Sequence, residues 1–281
     1  MRNLNLQLAT TKAENIIKEA GLQLPIDLFS LAERNDIEIV PKPIEAKGVS
    51  GMLIRHKECF TIAYATHIDN EGFQRFSIAH ELGHYFLPSH PENIFRDGDI
   101  HESHAGYSSS NPIEKEADHF AASLLMPKYL TKKIIAKYQD GLHAIKNMSE
   151  ACKTSLISSA IRYTELTDAA VAIIVSSESK VEYSFVSSTI NKLKGYTHLT
   201  RGRHIPKNSG TYNFNKKILT IDHLKDYCTD TDLMDWFHTD HQISATEEVI
   251  SLGSYGKILT VITANIEEIE DIEDEWDDPL F

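Results

Sequence analysis

The sequence has no long hydrophobic run and few cysteines, and both absences limit the class of protein. No segment approaches the roughly 20 apolar residues that a membrane-spanning helix needs. The N-terminal MRNLNLQLATTKAENII lacks the apolar stretch and cleavage site of a signal peptide. The three cysteines, Cys59, Cys152 and Cys228, are odd in number and far apart, which argues against a disulfide framework. We therefore expect a soluble cytoplasmic protein.

Positive charge is also scarce. Lysine and arginine number 28 against 41 aspartates and glutamates, for a formal net charge of -13. A chain this acidic is repelled by nucleic-acid phosphates unless its basic residues lie together on one face, so direct nucleic-acid binding is not expected. The acidity concentrates in EEIEDIEDEWDD, residues 267–278, within a predicted tail over 267–281. We interpret the tail as a solvated segment, with contact to a basic partner as the alternative.

The apolar pattern predicts a helical first part that contains one β-hairpin. Two N-terminal helices are expected over 7–35, and GMLIR and CFTIAYAT read as the strands of the hairpin. A helix is predicted over GFQRFSIAHELGHYFL before Pro88, and Pro112 opens another over IEKEADHFAASLLM. The segment Ser89–Asn111 has little periodicity and is expected to be a long surface loop, of the kind that is often functional.

A change of pattern follows near residue 166. The segment from Tyr129 to Tyr163 reads as helical, whereas AAVAIIVSS, KVEYSFVSS and KILTVITA read as strands. We predict an α+β domain over 1–165, made of helices and a small mixed sheet with a trailing helical segment. A smaller C-terminal α/β module is predicted over 166–266, before the acidic tail.

One pentapeptide motif indicates a catalytic metal site. His80-Glu81-Leu82-Gly83-His84 is an H-E-x-x-H motif inside a predicted helix. Residues four apart lie on one face of a helix, so both imidazoles reach one metal ion. Glu81 is rotated about 100° from His80, which places its carboxylate beside the metal as a general base. Zinc lowers the pKa of bound water from 15.7 to about 7 and polarises a carbonyl, which makes peptide hydrolysis feasible at neutral pH.

Catalytic zinc usually has a third protein ligand, and three residues compete for that role. Glu114 is favoured, because it shares a helix face with Asp118, which would accept a hydrogen bond from a ligand histidine. Glu116 lies off that face and is an alternative. His90 is the other alternative, since His80, His84 and His90 have the outer spacing of the metzincin pattern, although Leu87 replaces its glycine.

With these residues in view, the chain resembles the ImmA/IrrE family of bacterial metallopeptidases. The match lies in GVSGML (48–53), RFSIAHELGHYF (75–86) and IEKEADHFAASLLMP (113–127), in that order. The resemblance implies a zincin-like metallopeptidase domain in which His80, His84 and a glutamate bind zinc and Glu81 is the base. Manganese or iron would also fit such a ligand set. The resemblance further implies that residues 166–266 form a GAF-like sensory module.

The resemblance also implies a regulatory role. Family members typically cleave a helix-turn-helix repressor in stress responses or mobile elements, and some resemble components of toxin–antitoxin pairs. We therefore expect a zinc-dependent endopeptidase whose substrate is a separately encoded repressor. The alternative is a metal-dependent sensor or binding module, or a toxin–antitoxin component, without general protease activity.

The sequence also suggests where a substrate binds and which residues could assist the reaction as hydrogen-bond donors. The hairpin Ser50–Thr66 is expected to offer an edge strand to which an extended substrate segment adds. Four residues are candidates for an auxiliary hydrogen-bond donor: His101, His104, Tyr107 and His119.

Overall fold

The computed structural model describes residues 5–42, 48–96, 98–104, 111–218, 226–253 and 256–265. The chain divides into two compact units, the first made of residues 1–134 and 147–159 and the second of residues 135–146 and 160–281. Helices and β-sheets occur in both, so the α+β class is confirmed. The domain bounds 1–165 and 166–266 stay predictions, and the tail at 267–281 lies outside the described residues.

The first unit contains a mixed sheet and the helices that cover it. Its described strands are β1 (Ile37–Pro41), β2 (Val49–His56), β3 (Cys59–Tyr64) and β4 (Ile100–His104). Their order is β1-β3-β2-β4, with β1 parallel to β3 and the other pairs antiparallel. The helices are α1 (Leu6–Ala20), α2 (Leu28–Glu33), α3 (Glu71–Phe86), α4 (His90–Ile94) and α5 (Pro112–Leu125). Three more helices, α6 (Lys128–Ile135), α7 (Leu142–Cys152) and α8 (Leu156–Leu166), are each divided between the two units.

Local signals place the helix ends close to the predicted positions. Asn5 and Asn70 cap α1 and α3 by accepting the backbone N–H of Leu8 and Phe73. Gly21 ends α1 in the left-handed conformation, with φ of 64°. Pro112 opens α5, where its missing N–H costs nothing. The predictions of these helices and of the hairpin are confirmed.

Helix α3 is buried between the sheet and α5. It packs on β2 and β3 on one side and on α5 on the other, and α5 in turn packs on α1. Gly83 permits the close approach of the two helices, because a Cβ atom there would lie 3.1 Å from Phe120 Cδ1 and 3.2 Å from Ala117 Cα. Helix α3 therefore lies between the sheet and α5.

Two expectations about this unit were wrong. Ser89–Asn111 is not one long loop, because it contains α4 and β4. The sequence IHESH of β4 has no apolar alternation, and its strand form depends on pairing with β2. The hairpin offers no edge, since β2 and β3 each have a strand on both sides, and β4 is the strand at that end of the sheet. Tyr107 lies outside the described residues.

The second unit has an antiparallel sheet of the order β6-β5-β9-β8-β7. Its described strands are β5 (Val171–Ser177), β6 (Lys180–Val186), β7 (Asp226–Asp232), β8 (Ser244–Ser251) and β9 (Lys257–Ala264). The short helices are α9 (Ser188–Asn191), α10 (Gly210–Ile218) and α11 (Leu233–Trp236). The three predicted strands correspond to β5, β6 and β9. A GAF-like identity of this module stays a prediction.

A buried carboxylate connects β8 to α10. Glu247 is fully buried, and its Oε1 accepts hydrogen bonds from the backbone N–H and the hydroxyl of Thr211, both at 2.6 Å. Its Oε2 accepts from Gly210 N at 3.0 Å and from Trp236 Nε1 at 3.3 Å. The carboxylate therefore sits at the N-terminus of α10, where the backbone N–H groups lack partners within the helix.

The remaining expectations concern cysteines and membranes. Cys59, Cys152 and Cys228 are all free thiols. Across the described part of the chain, every helix is too short or too polar to cross a bilayer.

Candidate metal centre

Three side chains converge between α3 and α5. His80 and His84 lie one helical turn apart on α3, and their Nε2 atoms are 3.0 Å apart. Glu114, in the first turn of α5, places Oε2 3.2 Å from His80 Nε2 and Oε1 3.5 Å from His84 Nε2. Among the residues that the structure describes, these three form the one group with metal-ligand donors so close together.

The distances and the chemistry of the donors both fit a bound metal ion. Ligand atoms about 2.0–2.1 Å from a tetrahedral zinc ion lie about 3.3 Å from each other, within the range of separations observed here. Both imidazoles direct their Nδ1 atoms elsewhere, so their Nε2 atoms face each other and the Glu114 carboxylate. A metal ion that replaces the proton on His80 Nε2 would have all three donor atoms as ligands.

Asp118 holds the first histidine. Its Oδ1 lies 2.9 Å from His80 Nδ1, one turn along α5 from Glu114. Burial disfavours the charged imidazole, but the carboxylates of Asp118 and Glu114 outweigh it and raise the pKa of His80 to about 10. The Asp118 carboxylate accepts the Nδ1 proton, so Nε2 is the atom that a metal ion would bind in place of a proton.

The second histidine is more deeply buried. No part of the His84 side chain is exposed, and its Nδ1 lies 3.2 Å from Nδ1 of His90. Burial lowers the pKa of His84 to about 3, so its imidazole is neutral and can act as a ligand. Burial also opposes the charge of Glu114, yet His101, His80 and His84 together hold the pKa of that carboxyl well below its usual range.

Glu81 is fully buried beside the cluster and lacks a good partner. Neither of its carboxylate oxygens accepts a well-formed hydrogen bond within the described residues. Burial raises the pKa of Glu81, against the opposing effects of the charge on His80 and of the nearby Ser103 hydroxyl. Gly51 of β2 makes room for the side chain, because a Cβ atom there would lie 2.6 Å from Glu81 Oε1.

His101 reaches the site from β4. Its ring centroid is 4.5 Å from that of His84, and its Nε2 lies 3.3 Å from Glu114 Oε1 without the direction of a hydrogen bond. Sequence reasoning did not separate this residue from His104 and His119, because it took the segment for a loop. A strand assignment would have placed His101 and Ser103 on one face.

The two alternative third ligands lie behind the cluster. Glu116 Oε2 is 3.0 Å from His90 Nε2, and Glu116 Oε1 accepts the backbone N–H of Asn5 at 2.9 Å. His90 and Glu116 are both buried. The structure thus brings His80, His84 and Glu114 together, with Asp118 on His80. It places His90 and Glu116 on the far side of His84.

The comparisons with known proteins agree with this geometry. Residues 32–162 match a peptidase family model described as the IrrE N-terminal-like domain, and all the residues of the cluster fall within it. This match, over a little under half of the chain, supports the assignment of this region to the ImmA/IrrE family. The match implies a metal ion in a metallopeptidase domain, and the convergence of His80, His84 and Glu114 offers a place for it.

Individual relatives are distant. The chain is 27% identical over 107 residues to the radiation response metalloprotease IrrE of Deinococcus radiodurans, a match that covers 38% of this chain and 32% of that protein. The matched segment thus spans about a third of the relative's length. A solved structure, a transcriptional regulator of Mycobacterium tuberculosis, is similar with a TM-score of 0.56 at 12% identity, over 93% of this chain and 78% of that one. The likeness to it is one of fold.

Proposed function

We propose that this chain is a zinc-dependent endopeptidase with His80, His84 and Glu114 as ligands and Glu81 as the general base. The observation that carries the proposal is the buried Glu81 carboxylate, which lacks a well-formed hydrogen bond to any described residue and lies beside three converging ligand atoms. A structural zinc site is usually closed by four protein ligands, whereas three ligands leave a position for water. The arrangement therefore favours hydrolysis over a purely structural metal.

Each residue has a distinct part in the proposed reaction. When bound, zinc would supply polarisation of the substrate carbonyl and a lowered pKa for water. Glu81 takes the proton of the attacking water and passes it to the leaving amine. Its raised pKa suits this task, because a general base works best when its pKa lies near the working pH. Asp118 keeps His80 oriented through the hydrogen bond at Nδ1.

Strand β4 is the element that would align a substrate. Within the described residues it pairs with β2 alone, so its other edge has backbone groups to offer. An extended peptide segment that pairs with this edge would pass the side of the sheet from which His101 enters the cluster. His101 would then be placed to donate a hydrogen bond to the oxyanion that forms from the scissile carbonyl.

The proposed substrate class is a protein, namely a helix-turn-helix repressor encoded separately. Support comes from the family membership of residues 32–162 and from the similarity to a metalloprotease named for its radiation response. The proposed base is buried, and the substrate would be aligned along a strand edge. Both features suit a peptidase that cleaves an extended segment and has few protein substrates.

Metal analysis with two variants tests the proposal. Elemental analysis of the purified chain after reconstitution with zinc should give about one ion per molecule. Glu114→Ala should lose the ion because a ligand is removed. Glu81→Gln should keep it while cleavage falls by roughly 10²–10⁴-fold, the usual contribution of a general base.

Cleavage is measured on proteins extracted from the source organism, with new N-termini identified by mass spectrometry. Glu14→Ala is the matched control. Glu14 lies in the same unit and also accepts a backbone N–H, that of Lys128, but it is not part of the metal cluster. This variant should bind zinc and cleave like the parent. Undiminished cleavage by Glu81→Gln would contradict the role of the base, and absence of stoichiometric metal would contradict the whole proposal.

A further inference from the structure

A chain of hydrogen bonds runs from the metal cluster to the start of α1. It begins at His84 Nδ1, which is 3.2 Å from His90 Nδ1, and continues from His90 Nε2 to Glu116 Oε2 at 3.0 Å. Glu116 Oε1 then accepts the backbone N–H of Asn5. We call His84, His90 and Glu116 the relay. His80 differs, because its Nδ1 reaches a carboxylate directly.

The direction of each bond in the relay follows from its carboxylate end. An ionised carboxylate can only accept, so His90 must carry its proton on Nε2. A neutral His90 then has a lone pair on Nδ1 and accepts the proton of His84 Nδ1. With Nδ1 protonated, the neutral His84 has its lone pair on Nε2, the atom that faces His80 and Glu114.

We infer that His90 and Glu116 are positioning residues that fix the tautomer of His84 and so prepare its Nε2 to bind the metal ion. The inference rests on the metal site of the proposed function. A ligand histidine usually donates its second N–H to a carboxylate, a carbonyl or a water molecule, and loss of that partner costs 10–100-fold in metal affinity. In this chain a second histidine stands between the ligand and its carboxylate.

Burial limits the number of proton arrangements that the relay can adopt. His84 and His90 are completely buried and Glu116 is 2% exposed. A buried polar atom that loses its partner is costly, so a relay of two neutral imidazoles has two consistent proton arrangements, one the reverse of the other. The reversed arrangement protonates His84 at Nε2 and blocks metal binding. Glu116 selects the productive direction when both of its oxygens accept, Oε1 from Asn5 N and Oε2 from His90 Nε2.

The first test is to observe the tautomers directly. Histidine labelled with ¹⁵N in the zinc-loaded full chain should give His90 as the Nε2–H tautomer and His84 protonated at Nδ1. A spectrum in which His90 is protonated at Nδ1 would overturn the inference, because His84 could not then donate to it. This readout needs no variant and no substrate.

The second test is to reverse the relay with a nearly isosteric change. In Glu116→Gln the amide oxygen still accepts from Asn5, and the amide NH₂ donates to His90 Nε2. His90 must then donate from Nδ1, which places the proton of His84 on Nε2. Competition with a chromophoric zinc chelator should show a 10–100-fold loss of zinc affinity. Wild-type affinity in Glu116→Gln would overturn the inference.

The third test separates positioning from packing. His90→Leu removes both bonds and should weaken zinc binding to a similar extent. In His90→Gln the amide oxygen accepts from His84 and the NH₂ group donates to Glu116, so affinity should stay within about 3-fold of the parent. The matched control Glu14→Gln should not change it. Equal losses in His90→Leu and His90→Gln would point to packing alone, whereas failure of the parent to bind zinc would instead refute the proposed function.

Discussion

Among the described residues, each unit buries one glutamate completely, and the two side chains have opposite surroundings. Glu247 in the second unit accepts four hydrogen bonds, from Gly210, from Trp236 and twice from Thr211. Glu81 in the first unit has no well-formed bond to either oxygen among the described residues. Both lie against a glycine, Gly210 and Gly51. Burial alone therefore does not reveal what a carboxylate does.

The two glutamates differ in the number of hydrogen-bond donors around each carboxylate. A buried charged group is stable when donors satisfy it, and each missing partner costs about 1–3 kcal/mol. Glu247 has donors for both of its oxygens, and it connects β8 to the start of α10. Glu81 is held at a cost to the fold, which is typical of a residue retained for chemistry. We therefore assign stability to Glu247 and reaction to Glu81.

The largest effect is expected from removing the satisfied carboxylate. Glu247→Met keeps the length of the side chain but leaves the N–H groups of Gly210, Thr211 and Trp236 without their acceptor. We expect a loss of about 3–5 kcal/mol in the free energy of unfolding, measured by urea denaturation, as for other broken buried charge networks. A loss below about 1 kcal/mol would show that water replaces the carboxylate and would remove the contrast.

The glycines offer a pair of intermediate effects. A Cβ atom on Gly51 meets Glu81 Oε1 at 2.6 Å, whereas one on Gly210 meets Thr229 Cγ2 at the same distance. Gly51→Ala should displace the Glu81 carboxylate and, if Glu81 is the base, lower kcat/KM about 10- to 100-fold, or about 1.4–2.7 kcal/mol of barrier. Gly210→Ala should lower stability by about 1–3 kcal/mol through overpacking.

The two glycine variants serve as controls for each other. Peptidase activity of Gly210→Ala and zinc content of Gly51→Ala should match the parent at a temperature where both are folded. If Gly51→Ala lost stability and kept its rate, Glu81 would have to be counted with Glu247 as a structural residue.

The smallest change in stability is expected from removing the unsatisfied carboxylate. Glu81→Met should raise the free energy of unfolding of the metal-free protein by about 1 kcal/mol, because an apolar side chain replaces a buried group without good partners. The same denaturation experiment measures it, and activity should be absent. A loss similar to that of Glu247→Met would mean that Glu81 has donors after all.

Much of the fold could be predicted because its signals are local. Asn70 before α3, Pro112 at the start of α5 and Gly21 after α1 are end signals that do not depend on the rest of the molecule. Strand β4 could not be predicted, since IHESH has one apolar residue and depends on backbone pairing with β2. The hairpin was expected to have an edge for the same reason, because the partner strand was not recognised.

The candidate site could be predicted to the extent that it lies on helices. The i, i+4 spacing places His80 with His84 and Glu114 with Asp118, and the structure brings these four together. Their ligand and base roles stay predictions until metal is measured. The approach of His101 and the position of His90 behind His84 depend on tertiary contacts that no spacing in the sequence encodes.

The close contact at Gly83 packs together two helices, α3 and α5, that are near each other in the sequence. Every side chain of the metal cluster, and Gly51 beside it, lies between residues 51 and 118. These residues leave the ribosome before residues 160–281, most of the second unit, are made. A chain released prematurely after the first unit would carry the complete set of ligands and the base.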